Sequence, residues 1–223
     1  GLAYDPEKGG TAWAGLSDRQ LFGTTLEASA LGTAGRFQQE FFATALWHAD
    51  GGWSRLTPII MLRVRGEQIR RFDTAGVERP SIGTTDARFT VALEQRFGEQ
   101  WRLRLGGDLL TWGGETLRGK TRPGVSLRLV GTPTDGLAFR SDVLVTKAWQ
   151  SAQVGASRKI PAGSWTLLPA GRVGWTSAAP LQWTLPLGGP DGFPGLHQGE
   201  RRGARELFGS LRLGHALKGP VEV

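Results

Sequence analysis

The string Gly114-Glu-Thr-Leu-Arg-Gly119-Lys120-Thr121 satisfies GxxxxGK[ST], the pattern of a loop that cradles phosphate. That chemistry requires a buried parallel strand before the loop and a helix after it, whose first N–H groups point at the anion. Here Arg122-Pro123-Gly124 follows, then an alternating run from Val125 to Val130 that cannot be such a helix, so a glycine-rich hairpin is expected instead. Other catalytic groupings are also missing. No GxSxG nucleophile elbow occurs, and His48, His197 and His215 lack metal-ligand spacing; they read as strand-end or loop residues. The absence of cysteine removes thiolate metal sites, disulfides and thiol nucleophiles together. Glu94 and Asp108 can be aligned as a carboxylate pair, but the arginines around them, Arg96, Arg102 and Arg104, point to an ion-pair lattice rather than an acid–base dyad. No catalytic residue, metal or cofactor is expected in this chain, and any hydrolase activity would belong to a domain outside it.

The elements that carry these residues have a period of two. In Ala87–Phe97 one face holds Phe89, Val91, Leu93 and Phe97, and the other Arg88, Thr90, Glu94 and Arg96. The next run repeats the scheme, with Trp101, Leu103, Leu105 and Leu109 opposite Arg102, Arg104 and Asp108. Similar alternation predicts strands near 1–5, 11–18, 24–33, 36–48, 57–70, 86–98, 101–112, 123–131, 137–148, 151–160, 164–176 and 206–217. Short turns such as Ala49-Asp-Gly-Gly52 and Pro161-Ala-Gly-Ser164 join them, so neighbours pair as antiparallel hairpins; Arg70–Thr85 reads as a longer loop.

Two arrangements bury one face of such strands: a soluble sandwich and a barrel in lipid. The tryptophans favour the second. Trp47, Trp101, Trp112, Trp149, Trp165 and Trp175 fall at strand starts or ends, where an aromatic girdle meets the membrane interface. The apolar faces carry charge only near their ends, at Lys147 and Arg158, where long side chains reach headgroups. A mean hydropathy of −0.24 does not oppose this, because a membrane barrel is apolar on only one side. The densest apolar run, Ile59–Leu62, is far too short for a spanning helix. A net charge of +7 is spread along alternating strands and not gathered into a tract interleaved with aromatics, so nucleic acid is not an expected partner; anionic lipid is.

One stretch breaks the pattern. Within a long loop over 177–205, Leu185–Gly203 reads LPLGGPDGFPGLHQGERRG. Its order of Leu187-Gly188-Gly189, then Pro194-Gly195-Leu196, then a strand from Leu207, resembles the inward-folded loop of the bacterial surface antigen superfamily, outer-membrane barrels that insert or translocate proteins or anchor a fused domain. Glycine suits a chain threading a crowded lumen, since it allows positive φ and close backbone approach. Assembly and translocation members carry Arg-Gly-aromatic where this chain has Pro194-Gly195-Leu196. The branch fused behind patatin-like phospholipase domains is similar at Gly195, Gly199, Glu200 and Gly203, with Leu196 in place of the aromatic.

The resemblance implies an all-β, antiparallel transmembrane barrel of about sixteen strands, of which about twelve are present. Residues 1–223 then form a single partial barrel, incomplete at the C-terminus, with the loop folded into the lumen between the eleventh and twelfth strands. Glu200, Arg201 and Arg202 would form loop-to-wall ion pairs. It also implies the outer membrane of a Gram-negative-type bacterium and a role as anchor and translocator for a fused patatin-like lipase. The first alternative is a protein assembly or translocation barrel, and the second a soluble β-rich binding module.

Overall fold

The computed structural model describes residues 1–5, 9–47, 56–72, 77–114, 119–180, 183–187 and 201–215. The strands are β1 (Leu2–Asp5), β2 (Gly9–Asp18), β3 (Leu26–Gly35), β4 (Gln38–Trp47), β5 (Leu56–Phe72), β6 (Glu78–Phe97), β7 (Trp101–Gly113), β8 (Lys120–Thr134), β9 (Leu137–Thr146), β10 (Gln150–Arg158), β11 (Ile160–Ala162), β12 (Trp165–Thr176), β13 (Leu185–Leu187), β14 (Arg201–Gly203) and β15 (Arg205–His215). From β1 to β10 each strand pairs antiparallel with the next; β12 takes β10 and β11 on one edge and β15 on the other. The short β13 and β14 pair only with each other.

Strands β10 and β11 hold the same register against β12, through Ser157↔Ala170 and Ile160↔Leu167, so they are one strand interrupted at Lys159. The interruption has a local cause. The Lys159 N–H donates to the Gly136 carbonyl at 2.6 Å, which ties the β8–β9 turn to the break. Gly136 sits at φ +75, and a Cβ there would lie 2.5 Å from the Lys159 carbonyl oxygen, so no other residue fits. With β10 and β11 counted once, the thirteen-stranded sheet has twelve strands, and the connection from Ser177 to Ala204 joins the eleventh to the twelfth. Among the described residues the sheet is open, with β1 and β15 at its edges.

The expected loop at Arg70–Thr85 is mostly strand. β5 and β6 run 17 and 20 residues, and Glu67, Gln68 and Ile69 pair with Thr84, Gly83 and Ile82. β-branched residues continue the ladder there, while Pro80, which has no N–H to give, falls at the register shift between Ile69 and Arg71.

In the middle of the sheet and on β15, burial alternates with the polar side hidden. On β6, Thr84, Asp86, Thr90, Ala92 and Glu94 are buried, whereas Phe89, Val91 and Leu93 are 43%, 52% and 52% exposed. On β7, Asp108 and Leu110 are buried beside exposed Leu105 and Leu109, and on β15 Glu206 and Phe208 are buried beside exposed Leu207, Leu211 and Leu213. The greasy faces are therefore not stacked into a two-layer core. They form the convex outside of a curved sheet, and the charges line its hollow, the reverse of a soluble sandwich.

Candidate functional site: the charged inner wall and the segment packed on it

The inner wall is built by strand parity. Residues directly opposite across antiparallel neighbours share a face, so inward Asp86 on β6 faces Arg65 on β5 and Trp112 on β7, and inward Arg104 on β7 faces Glu94 and Arg128. Asp86, Asp108, Glu94, Asp142 and Glu206 each take an arginine, while inward Glu40 accepts from Gln38 Nε2 at 3.0 Å. Arg63 Nη2 donates to Asp86 Oδ2 and Arg65 Nε to Asp86 Oδ1, both at 2.9 Å. Arg88 Nε and Thr90 Oγ1 donate to Asp108 Oδ1 at 2.6 and 2.5 Å. Arg104 reaches Glu94 Oε2 through Nη2 at 2.7 Å and Nε at 3.1 Å. Arg128 and Arg140 share Asp142. Arg172 Nε donates to Glu206 Oε1 at 2.8 Å, while Gln153 Nε2 takes the other oxygen at 3.0 Å.

Glu94 and Asp108 thus share a face, as the alternation predicts, but form no dyad. Each is paired with its own arginine. Of the arginines singled out beside them, Arg104 binds Glu94; Asp108 is met by Arg88 from β6. Arg63, Arg65, Asp142, Arg172 and Glu206 belong to the same lattice and were legible only as further charges at even spacing.

Part of the connection after β12 packs on this wall. Trp183 lies against a buried cluster of Leu110, Leu144 and Trp149, with Trp112 and Ala179 beside it. The rings of Trp149 and Trp183 are 5.5 Å apart, and the Arg63 guanidinium stands 5.4 Å from the Trp183 ring. Leu185 is buried, and a Cβ on Gly174 of β12 would sit 2.9 Å from Leu185 Cδ1, so that glycine gives the segment room. β13 and β14 hold the strap by Leu185↔Gly203, Pro186↔Arg202 and Leu187↔Arg201.

No protein-family model and no curated protein matches the chain. Among solved structures, the crystal structure of BamA from Haemophilus ducreyi lacking POTRA domains 1–3 matches 89% of this chain with a TM-score of 0.72, at 10% sequence identity. The chain has the fold of a bacterial outer-membrane β-barrel. It spans 45% of the BamA chain, and at that identity the likeness is one of strand path and not of residues.

In that frame the hollow is the lumen of the barrel wall and the convex face its outside. Trp47, Trp165 and Trp175, 40%, 49% and 41% exposed, lie on the outer face. Trp101 is opposite Phe97 on that same face and meets Phe139 edge-on at 5.7 Å. Trp165 packs on His215 at 4.5 Å. Two tryptophans expected at the lipid interface are inside. Trp149 is 3% exposed, because the Thr146 Oγ1 turn, accepting from Trp149 N at 2.9 Å and donating to its carbonyl at 2.8 Å, sets it opposite inward Thr146. Trp112 has the parity of Asp108 and Leu110 and joins the same lumenal cluster.

Of the loop motif, Gly203 is described as the partner of Leu185, and Leu187, Arg201 and Arg202 by their backbone pairing alone. Gly188, Gly189, Gly195, Gly199 and Glu200, with His48 and His197, lie outside the described residues.

Proposed function

We propose that this chain is the membrane-embedded wall of an outer-membrane barrel that inserts or translocates proteins, in the outer membrane of a Gram-negative-type bacterium. The observation that carries the reading is the combination of a twelve-stranded antiparallel wall, apolar outside and charged inside, with a strand path similar to that of BamA. On this reading Trp47, Trp101, Trp165 and Trp175 sit at the headgroups, and lipid covers Phe89, Val91 and Leu93. The barrel guides a polypeptide and makes no covalent bond.

In the same proposal the segment 177–205 enters the lumen and narrows it, supported by the contacts of Trp183 and Leu185 with the inner wall. Glu200, Arg201 and Arg202 then make ion pairs with that wall. Unchanged protease sensitivity of the loop after Glu200→Lys would count against that pairing.

The test is reconstitution of the full-length natural protein into liposomes, followed by addition of an unfolded outer-membrane protein from urea. Protease-protected, heat-modifiable product should accumulate faster than in empty liposomes of the same lipid; equal rates overturn the reading. A second reading, an anchor for a fused patatin-like lipase, is favoured by one sequence feature, the Gly195, Gly199, Glu200 and Gly203 spacing without Arg at the loop tip. A reading frame upstream of Gly1 encoding GxSxG with a partner Asp would support it, and its absence would remove it.

A further inference from the structure

We propose that Met61 is an oxidation site: a two-electron oxidant converts its thioether to the sulfoxide, which Arg104 then holds, so that oxidation tightens the inner wall. The proposal does not depend on whether the barrel moves protein.

Met61 is the single methionine of a chain without cysteine, so it is the one sulfur open to such an oxidant. It stands half-buried on β5 with inward parity, directly opposite Thr44 of β4 and Thr90 of β6. Together with Phe42, Arg63, Arg88, Thr90 and Arg104 it lines a cavity of about 310 Å³, which gives a molecule the size of hydrogen peroxide room to reach it. In an apolar core the same oxidation disrupts packing, because the sulfoxide is polar. The surroundings of Met61 are the reverse of such a core.

Arg104 decides what the oxidation does. Its Nη2 and Nε are committed to Glu94 Oε2 on β6 at 2.7 and 3.1 Å, while Nη1 is directed at Met61 Sδ at 3.1 Å. A thioether is a weak acceptor, so this guanidinium N–H is under-used. A sulfoxide oxygen accepts strongly, and from a cation the bond is charge-assisted. The flexible side chain of methionine lets the added oxygen turn to that N–H. Sulfur has two lone pairs, so the one facing Nη1 leaves the other free to react. That pair attacks one oxygen of hydrogen peroxide; the S–O bond forms as the O–O bond breaks, and the departing hydroxide takes the proton of the attacked oxygen and leaves as water. The sulfur loses two electrons and the peroxide gains them. The product joins β5 to β7 through Arg104, with Glu94 of β6 on the same guanidinium, so three neighbouring strands share one hydrogen-bonded group.

The test uses the full-length protein in neutral detergent, with and without hydrogen peroxide. Peptide mass spectrometry reads the gain of one oxygen at Met61, and urea unfolding reads stability. The variants are Met61→Leu, which cannot be oxidised at this position, and Arg104→Lys, which keeps the charge beside Glu94 but loses the second arm of the fork; heat-modifiability confirms that each is folded. Met61→Leu sets the baseline for oxidation elsewhere in the full-length chain. Against that baseline, Met61 should gain the oxygen in the folded parent and the urea midpoint should rise by about 0.5 M, the shift that one added hydrogen bond to a charged group produces. Arg104→Lys should instead fall on the same treatment. The proposal is overturned if Met61 is oxidised only after unfolding, if the parent midpoint fails to rise relative to Met61→Leu, or if Arg104→Lys rises as the parent does. Should Arg104→Lys fail to fold, the parent against Met61→Leu decides alone.

Discussion

The Arg63 guanidinium and the indole of Trp149 lie against the same ring, that of Trp183, at 5.4 and 5.5 Å, although Arg63 is on β5 and Trp149 immediately precedes β10. Five strand steps separate them along the sheet, roughly 24 Å at about 4.8 Å per strand. The wall must therefore curve, and Trp183 spans the hollow that the curvature makes. Removing it should free the strap. Trp183→Ala is expected to cost about 2–3 kcal/mol, less than a fully buried Trp because the residue is only half-buried. Limited proteolysis should then cut between residues 177 and 204 well before the strands, with the melting temperature in detergent lowered. A loop no more accessible than in the parent would contradict the packing role.

Asp86 is the junction of the ion-pair lattice. Its side chain is 2% exposed and holds Arg63 and Arg65, which carry 29% and 20% exposure, so its removal leaves two cations side by side. Breaking a dry buried pair costs about 3–5 kcal/mol, and water in the lumen reduces this to roughly 1–3 kcal/mol. Asp86→Ala should lower the urea midpoint of unfolding from detergent, and the loss should shrink when Arg65→Leu is added, because one of the stranded charges is then gone. Independent, additive losses in the double variant would deny the coupling.

Strand parity explains how much of this was readable in advance. The twelve-strand order and the faces of β6 and β7 follow from alternation, since one residue of slip would turn Phe89 and Val91 inward. The place of Trp112 at a strand end suggests the interface, but its even number puts it on the side of Arg104 and Asp108. Trp149 carried a weaker signal. Its direction is set by the hydroxyl turn of Thr146, and a tight turn decides parity without leaving a hydrophobic pattern. Trp183 could not be found from its neighbours at all: it sits outside the alternating runs, and its partners come from two distant parts of the chain, Leu110 on β7 and Leu144 with Trp149 in the β9–β10 hairpin.

Gly174 faces the strap from β12. A Cβ at this position would meet Leu185 Cδ1 at 2.9 Å and Glu206 Oε2 at 3.3 Å, so alanine must push one of them aside. Leu185 is the freer of the two, because Glu206 is fixed by Arg172 and Gln153. Gly174→Ala is expected to lower stability by about 1 kcal/mol or less, and Gly174→Val by about 1–3 kcal/mol as overpacking. Leu185→Ala in the same chain should restore much of the loss in the valine variant. Unfolding midpoints of the two single variants and the pair measure this directly, and a valine variant as stable as the parent would mean that the strap does not lie there.

Val91 tests the side on which lipid lies. It is 52% exposed at the middle of β6, between Phe89 and Leu93 on the convex face. On a soluble sheet an exposed Val→Arg change on a wet face alters stability by no more than about 0.5 kcal/mol. At the midplane of a bilayer the same guanidinium must leave water, which costs about 2–4 kcal/mol. Folding of the full-length protein from urea into lipid vesicles should therefore be weakened by that amount in Val91→Arg. Trp47→Arg, at a strand end from which, on the proposed membrane placement, the side chain would reach the headgroups, should lose clearly less. Equal and negligible losses at both positions would place water on the convex face, and the wall would then enclose nothing that needs a membrane.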